Sequence, residues 1–541
     1  MDNEKVKVLI LDGYLDEPAA LGVPPYISPI VRAMAGAAID TGADVSYMSI
    51  DDIRDGDSLP KAALMAMVGG NSVPGRYLRS MPASVKEMQT IIEGFSGFII
   101  LGGSAADSSL RENVNVATKC DLAAAIYDIL LTGESGGRTR SLDEWNRWMS
   151  LGAYVVKHHR DHPQPLIAEV ETYRGCHRYA SGGCKFCIEP LKGKPVFREP
   201  ADIIAEVSAL KKNGVRNVRL GGQTCIVSYK AEGSGVPRPN VDAMRELFTG
   251  LKALELDVLH VDNGNPSVIS SYPKESEEVL SIISECCTSG NVIALGMESA
   301  DLNVVKANNL NSTPEQVIDA IRIINRVGRE RGENGMPRLL PGVNIIAGLE
   351  GESEHTYAKN LDLLRSVKDE GLILRRINIR QVNDSRREYD VKVDRKRFQR
   401  FKEQVREEID LSMLHEMLPF GTVLRNVYME LHQGALTFGR QIGSYPILVS
   451  VPYKLELESF HDVAIIDWGF RSVTAIEFPF DINNSPLSAI AALPGIGKKR
   501  AATLFTKQPI QDIGHFRSII NDDNVTDTLA PLLIFTSGKG K

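Results

Sequence analysis

From Pro165 to about residue 415 the chain alternates short apolar runs with stretches of helical period, and this alternation constrains its fold more than any other feature. The apolar runs are Leu166–Glu171, Asn217–Leu220, Val258–Asp262, Val292–Gly296, Gly342–Gly348 and Arg376–Val382. Strands separated by helices lie parallel, because only a crossover of a dozen or more residues brings the next strand in with the same direction. Six alternations predict an open, partial (β/α)6 barrel over residues 160–415.

The segments on either side read differently. Lys5–Asp12 is a buried-strand pattern, Ile30–Asp40 has helical period, and Ala43–Ser49 and Gly97–Ser104 are further strands, the last running into a Gly-rich turn. Residues 1–150 therefore predict a doubly wound, Rossmann-like α/β domain, with Gly133–Trp148 as a connection. After residue 420, Thr422–Glu430, Tyr445–Val451, Val463–Ile466 and Ser472–Ile476 are short β-type runs, which predicts a small β-barrel over 420–482. Residues 485–541 turn helical around Leu493-Pro-Gly-Ile-Gly-Lys-Lys-Arg-Ala501 and end in a frayed tail, Gly538–Lys541.

A net charge of −7 argues against a chain that coats nucleic acid along its whole surface, though a local basic face can still bind phosphate. No apolar run reaches membrane-spanning length and no signal-peptide core opens the chain, so no membrane partner and a cytoplasmic location are expected. Seven cysteines are too few for a disulfide framework, yet three of them fall within twelve residues.

Those three are Cys176, Cys184 and Cys187, spaced C-x7-C-x2-C on a loop after the first barrel strand. Soft thiolates suit zinc or an iron–sulfur cluster. Zinc would need a fourth ligand, for which His177 or His159 are available. A [4Fe–4S] cluster held by three thiolates would keep one iron open.

The segment Tyr173–Cys187 together with the strand ends that follow resembles the radical SAM superfamily across about residues 165–415, although the usual first spacing there is three residues and this loop has seven. The resemblance implies that the open iron chelates S-adenosylmethionine (SAM) and that a reducing electron donor drives its cleavage to a 5′-deoxyadenosyl radical. It implies SAM contacts at Gly221, Gly222 and Gln223, where Gln replaces the more usual Glu, at Asn263 and Asn265, at Glu298 and Ser299 in a "G-x-E-S" strand end, and at Gly348. Cys225, two residues beyond Gln223, is a candidate catalytic thiol, with a small buried structural cysteine as the plainer reading.

The N-terminal domain resembles cobalamin-binding domains fused ahead of many radical SAM cores, without their Asp-x-His-x-x-Gly signature, so cobalamin stands only as a possible cofactor. Turn-rich segments at Asp12–Pro18, Gly22–Tyr26 and Gly69–Tyr77 sit where a nucleotide-like ligand could bind or where loops cover the barrel mouth. A further resemblance is to tRNA methylthiotransferases, through Gly222-Gln223-Thr224 and the β domain, which is similar to their RNA-binding TRAM barrel. Those enzymes carry a second cluster on three N-terminal cysteines, whereas only Cys120 precedes Cys176 here, which disfavours sulfur insertion.

Residues Leu493–Ala501 have the pattern of a helix–hairpin–helix. Its glycines and a helix N-terminus can hold a nucleic-acid phosphate, with Gly495, Gly497, Lys498 and Lys499 as contacts and Arg500 nearby. A basic stretch, Arg386, Arg387, Lys392, Arg395, Lys396, Arg397, Arg400 and Lys402, reads as a solvated face or an electrostatic track. The whole resembles archaeal-type radical SAM proteins with a C-terminal helix–hairpin–helix. The expected function is RNA modification, with tRNA favoured; the rivals are a cobalamin-dependent C-methyltransferase and a non-catalytic cluster protein that binds nucleic acid.

Overall fold

The computed structural model describes residues 5–15, 19–20, 25–70, 77–383, 386–389 and 393–537. Much of the turn-rich segments (16–18, 22–24 and 71–76), Lys392 and the tail Gly538–Lys541 lie outside the described residues. The chain divides into two compact units, Met1–Gly183 with Cys187–Thr288, and Cys184–Phe186 with Ser289–Lys541. The division falls inside the expected barrel, between its third and fourth strands.

In the first unit, β1 (Lys7–Asp12), β2 (Asp44–Ser49), β3 (Leu64–Val68), β4 (Phe98–Gly102) and β5 (Val116–Ala117) form a parallel sheet in the order β2-β1-β3-β4-β5. Its strands are apolar on both faces because helices cover both. Leu9, Leu11, Met65, Met67, Ile99 and Leu101 share one core with Ile50, Met88 and Ile91. Strand β3 was not foreseen: Leu-Met-Ala-Met-Val is fully buried, but Met and Ala are weak β-formers.

Helix Leu142–Gly152 corrects the reading of Gly133–Trp148 as a connection. Ser141 and Glu144 close a capping box at its start, and Trp145, Trp148 and Met149 bury against Ala33 and Ala37 of helix Pro29–Asp40. The two helices touch backbone to backbone. A Cβ on Gly36 would stand 1.8 Å from the Trp148 carbonyl oxygen, and one on Gly152 would stand 1.7 Å from that of Arg32.

A second parallel sheet of this unit runs Tyr26–Ile27, β6 (Ile167–Val170), β7 (Asn217–Leu220) and β8 (Val258–Val261) in that order. Tyr26–Ile27 pairs with Ile167 and Ala168, and beyond it two guanidinium groups take the carbonyls of Glu169 and Glu171. Arg32 donates to the Glu169 carbonyl and Arg198 to that of Glu171, at 3.0 Å for the latter, and both arginines pair with Glu206 with no solvent exposure.

In the second unit β9 (Asn291–Glu298), β10 (Leu339–Ala347) and β11 (Ile377–Gln381) are parallel, joined through helices Pro314–Gly328 and Thr356–Asp369. There follows a closed barrel of β12 (Val423–Gln433), β13 (Leu436–Gln441), β14 (Leu448–Val451), β15 (Phe460–Trp468) and β16 (Ser472–Glu477) in the order β12-β13-β14-β16-β15. Only β14 and β16 are parallel; the other pairs are antiparallel. Strand β13 escaped the sequence because Gly439 interrupts its apolar pattern. A Cβ there would meet the Tyr428 carbonyl oxygen at 2.5 Å.

Four helices, Leu487–Ala492, Gly497–Thr506, Ile513–Ile520 and Asp523–Leu529, share one core with this barrel, where Leu493, Leu504 and Phe516 join Val463 and Ile476.

Candidate active site

The cysteine loop leaves the first barrel strand through Tyr173–Arg174, which pairs antiparallel with Val196–Phe197 and so closes the loop at its base. The Cys176 amide donates to the Gly193 carbonyl at 3.1 Å. Cys176 is half-buried, and its Sγ accepts from the Arg178 amide at 3.4 Å. Cys187 is also half-buried.

The tripeptide Cys184–Phe186 belongs to the second unit. There Cys184 and Phe186 pack against Val304, Leu310 and Leu349, the Lys185 amide donates to the Asn308 carbonyl at 3.0 Å, and Arg386 donates to the Cys184 carbonyl at 2.7 Å. Among the described residues no three of His, Cys, Asp and Glu stand close enough to hold a metal ion. The cluster assignment therefore rests on the donor set and its spacing.

That donor set has three thiols and no imidazole. Both ring nitrogens of His177 face carbonyl oxygens, of Gly233 and Ser228, at 3.3 Å each. His159 is fully buried; its Nδ1 accepts from the Asp161 amide at 3.1 Å and its ring lies against Tyr14 and Tyr47. Burial pushes the His159 imidazole down to about 3. Neither is free to complete a zinc site, whereas three thiols fit a cubane with one open iron.

The strand ends carry the expected SAM residues. At the end of β7 a Cβ on Gly221 would stand 2.0 Å from Glu169 Oε1 and one on Gly222 3.0 Å from Glu171 Cγ, and Gly222, at φ of 77°, takes a backbone conformation that favours glycine. Gln223 is buried, its Nε2 donating to the Leu220 carbonyl at 2.9 Å. The Asn263 amide group reaches the Gln223 carbonyl at 3.5 Å.

Asn265 caps helix Pro266–Ser271, its Oδ1 accepting from the Ser267 amide at 3.0 Å. Its own backbone N–H donates to Cys225 Sγ at 3.2 Å. Burial raises the Cys225 thiol, and the Tyr173 hydroxyl bridges the Cys225 amide and carbonyl. This is the environment of a structural cysteine, the plainer of the two readings of Cys225.

Glu298 ends β9 at a bulge, with φ of 60°. Its Oε2 is buried without a hydrogen-bond partner among the described residues, and burial lifts the carboxyl to about 8 against the attraction of Arg380. A strained, unsatisfied, bulge-aimed acid is characteristic of a ligand site. Ser299, by contrast, is buried with its Oγ accepting from the Asp301 amide at 3.1 Å, beside Asn360. The Gly348 amide is held by Glu352 Oε1 at 2.8 Å. Ser299 and the Gly348 amide thus shape loops rather than offer free donors.

The sequence reading missed Arg380 and Asn378, which stand with Asn344 on β10 and β11 in a hydrogen-bonded row. Polar residues alternating with Ile377 and Ile379 were the signal for an open face. It also missed the Arg32–Glu206–Arg198 triad, which no local pattern announces.

At the C-terminus Gly495, Gly497, Lys498 and Lys499 are exposed at the start of helix Gly497–Thr506, with Gly495 and Gly497 at φ of 75° and 61°. Arg500 is not available to a ligand. Its Nη1 donates to the Gly495 carbonyl at 2.7 Å and its Nη2 pairs with Asp522 at 3.0 Å. In the basic stretch Arg386 is likewise committed, and Arg387 pairs with Glu350 at 2.8 Å. Arg395, Lys396, Arg397 and Arg400 are exposed on helix Arg395–Gln404.

The chain matches the Radical SAM superfamily over residues 170–364. It belongs to the radical SAM superfamily. The members of this superfamily are enzymes that use a [4Fe–4S] cluster and SAM. An uncharacterized protein of Methanocaldococcus jannaschii is 44% identical over 86% of this chain and 92% of its own length. The tRNA-2-methylthio-N(6)-dimethylallyladenosine synthase of Alkaliphilus oremlandii is 26% identical over 45% of this chain, which spans about half of that relative, 48%. Among solved structures, the cobalamin-dependent S-adenosylmethionine radical enzyme OxsB aligns with a TM-score of 0.45 at 12% identity, covering 75% of this chain and 56% of that one. No helix among the described residues is long and apolar enough to cross a membrane.

Cobalamin stands as a possible cofactor, and the described residues of the N-terminal sheet offer no histidine to ligate its cobalt. The strand order reverses between β1 and β3, the usual ligand crevice of such a sheet. There Gly13 lies so close that its Cβ would stand 2.5 Å from the Val68 carbonyl oxygen. The sequence contains no histidine before His158 to ligate cobalt.

Proposed function

We propose that this radical SAM enzyme modifies RNA, with tRNA as its substrate. Cys176, Cys184 and Cys187 would hold the cluster, and the Gly221–Gly222 turn, Gln223, Asn263 and Glu298 would line the SAM site. The cluster and SAM, when bound and reduced by an external one-electron donor, supply abstraction of hydrogen from an unreactive carbon. The chain's own residues shape that site. Glycine at 221 and 222 lets the backbone lie over Glu169 and Glu171, and the buried Tyr173 hydroxyl fixes the segment that carries Cys225.

The observation that carries the RNA reading is the C-terminal turn, where two exposed lysines stand in the first helical turn beside two exposed glycines. Free amides at a helix start together with cationic side chains bind phosphate without reading a base. The closed five-stranded barrel that shares its core with these helices is of a class that commonly binds oligonucleotides. The likeness to a tRNA-modifying synthase points the same way. A base within a stem would have to be extruded to reach the radical site. The single cysteine ahead of the cluster loop, Cys120, supports a modification other than sulfur insertion by a second cluster.

The test is anaerobic reconstitution with iron and sulfide, then incubation with SAM, reductant and bulk tRNA, with 5′-deoxyadenosine and digested nucleosides read by mass spectrometry. A new nucleoside mass supports the reading. 5′-Deoxyadenosine without one moves the substrate to a protein or small molecule.

A further inference from the structure

Arg376 stands one residue before β11, at the amino end of the sheet, opposite the carboxyl ends that carry Glu298 and Gly348. Its backbone is left-handed, with φ of 72°. The bend is fixed on both sides. The Arg375 amide donates to the Pro341 carbonyl at 2.8 Å, and the Val343 amide donates to the Arg376 carbonyl at 3.1 Å. Between those two bonds the chain passes close over Gly342, where a Cβ would meet the Arg375 carbonyl oxygen at 2.9 Å. Glycine or asparagine suits such a position, whereas a long side chain there costs about 1–2 kcal/mol. The backbone therefore gives no reason for arginine at 376, and the reason lies in its side chain.

The Arg376 guanidinium carbon lies 3.6 Å from the centre of the Tyr445 ring, and the side chain makes no hydrogen bond or ion pair among the described residues. A guanidinium laid over an aromatic face spends its π surface on the ring and keeps its in-plane N–H groups for an acceptor. The stack is itself held in place. Arg375 Nη2 donates to the Tyr445 and Pro446 carbonyls, at 3.4 and 3.1 Å, which ties the β13–β14 connection to the entry of β11. Arg375 Nε is buried with no hydrogen-bond partner among the described residues. The nearby carboxylate is already taken: Asp410 Oδ2 accepts from Arg471 Nε at 3.0 Å, and Arg471 Nη2 donates to the Ile377 carbonyl at 2.9 Å. Burial lowers the Arg375 guanidinium to about 10 against the pull of Asp410, and the charges of Arg376 and Arg471 lower it further. Positive charge at this end of the sheet thus exceeds the negative charge that answers it.

We propose that Arg376, laid on Tyr445, binds a phosphate of the RNA backbone. The contact rests on the RNA reading but uses residues other than the Gly495–Lys499 turn. A guanidinium fork matches two oxygens of one phosphodiester, and a carbonyl or hydroxyl would answer its hydrogen bonds but not its charge. The Tyr445 ring fixes the plane of the fork before the ligand arrives, so less side-chain freedom is lost on binding. The contact positions the nucleic acid without reading a base. Because Arg376 lies at the amino end of the sheet, away from Glu298, it acts on the affinity for RNA and leaves SAM binding alone.

The test titrates the reconstituted full chain with labelled bulk tRNA across a salt series, beside SAM calorimetry and thermal melts. Arg376→Gly and Arg376→Asn remove the charge while accepting the left-handed backbone, and Arg376→Lys keeps the charge without the fork. The two neutral variants are expected to bind tRNA about tenfold more weakly and to lower the salt slope by about 0.7–0.9. Their thermal midpoints and SAM affinities should stay close to the parent's, since relief of the strained backbone offsets the lost stack. Arg376→Lys should keep most of the slope and part of the affinity. Parental tRNA affinity and slope in both neutral variants, while Lys498→Ala with Lys499→Ala weakens binding, overturn the contact and leave the RNA reading standing. In that case a lowered thermal midpoint makes Arg376 a structural tie to Tyr445, and an unchanged one turns the search to a carboxylate of a protein partner. Loss of SAM affinity in step with tRNA affinity overturns the contact by showing that the change disturbs the whole unit. Absence of tRNA binding by the parent chain overturns both.

Discussion

Arg500 Nη1 lies 2.7 Å from the carbonyl oxygen of Gly495, so the arginine of the Gly-Ile-Gly-Lys-Lys-Arg turn braces the turn from within. Lys498 and Lys499 are the cations left facing solvent. Replacing both lysines by alanine should lower the salt slope of tRNA binding by roughly 1.4–1.8 in total and leave the thermal midpoint nearly unchanged. Arg500→Ala should do the reverse in its first effect, destabilising the C-terminal helices by about 1 kcal/mol through a lost internal hydrogen bond and a half-exposed ion pair. Thermal melts beside binding isotherms over a salt series separate the two.

Arg32 and Glu206 form an ion pair with no solvent exposure, joining helix Pro29–Asp40 to helix Pro200–Lys212. Arg198 shares the same carboxylate. Removing the shared carboxylate strands two buried guanidinium groups, so Glu206→Met should cost about 3–5 kcal/mol in the unfolding transition of the first unit. Replacing all three by apolar residues should cost much less. Denaturant midpoints for the single and triple variants test this, and equal losses in both would contradict it.

Glu298 should make the chain less stable as pH rises. Its folded carboxyl titrates at about 8, above the ordinary carboxylate value, because burial penalises the ionised form. Between about pH 5 and pH 8 the folded chain keeps a proton there that the unfolded chain has released. Stability from this group is thus present in full below about pH 5, falls by roughly 1.4 kcal/mol per pH unit through the window, and levels off above pH 8. Glu298→Gln should remove that slope. Denaturant midpoints at pH 5.5, 6.5 and 7.5 (about one unit apart) for parent and variant check it, and parallel curves would contradict the assignment.

Cys225 and Cys120 should differ in reactivity. Cys225 is buried with its thiol raised and its sulfur accepting the Asn265 amide, whereas Cys120 is exposed. A soluble maleimide should label Cys120 within minutes on the folded chain and reach Cys225 only on unfolding. Cys225→Ser should leave SAM cleavage within about threefold of the parent.

The six parallel strands between residues 167 and 381 were legible because each is a compact apolar run bounded by helical period, and Asn217–Leu220 agrees at both ends. The strands that escaped notice, Leu64–Val68 and Leu436–Gln441, are built from Met and Ala or broken by a glycine that a neighbouring carbonyl requires. Helix Leu142–Gly152 was hidden because only Trp145, Trp148, Met149 and Gly152 carry its packing face while its flank is rich in Gly, Ser and Arg. At the site the cysteines and Glu298 were visible as spaced motifs. The roles of Ser299, Asn265 and Arg500 were not, because each spends its polar atoms on a partner that only the folded chain supplies.

The most direct test of the central claim is SAM cleavage by the reconstituted chain and its Cys184→Ala variant, with 5′-deoxyadenosine quantified under reductant in the presence of bulk tRNA. The parent should release 5′-deoxyadenosine together with a new nucleoside mass, and the variant should release neither while still binding tRNA. Equal 5′-deoxyadenosine from parent and variant would contradict the assignment of the cluster to Cys176, Cys184 and Cys187, and with it the account of the site.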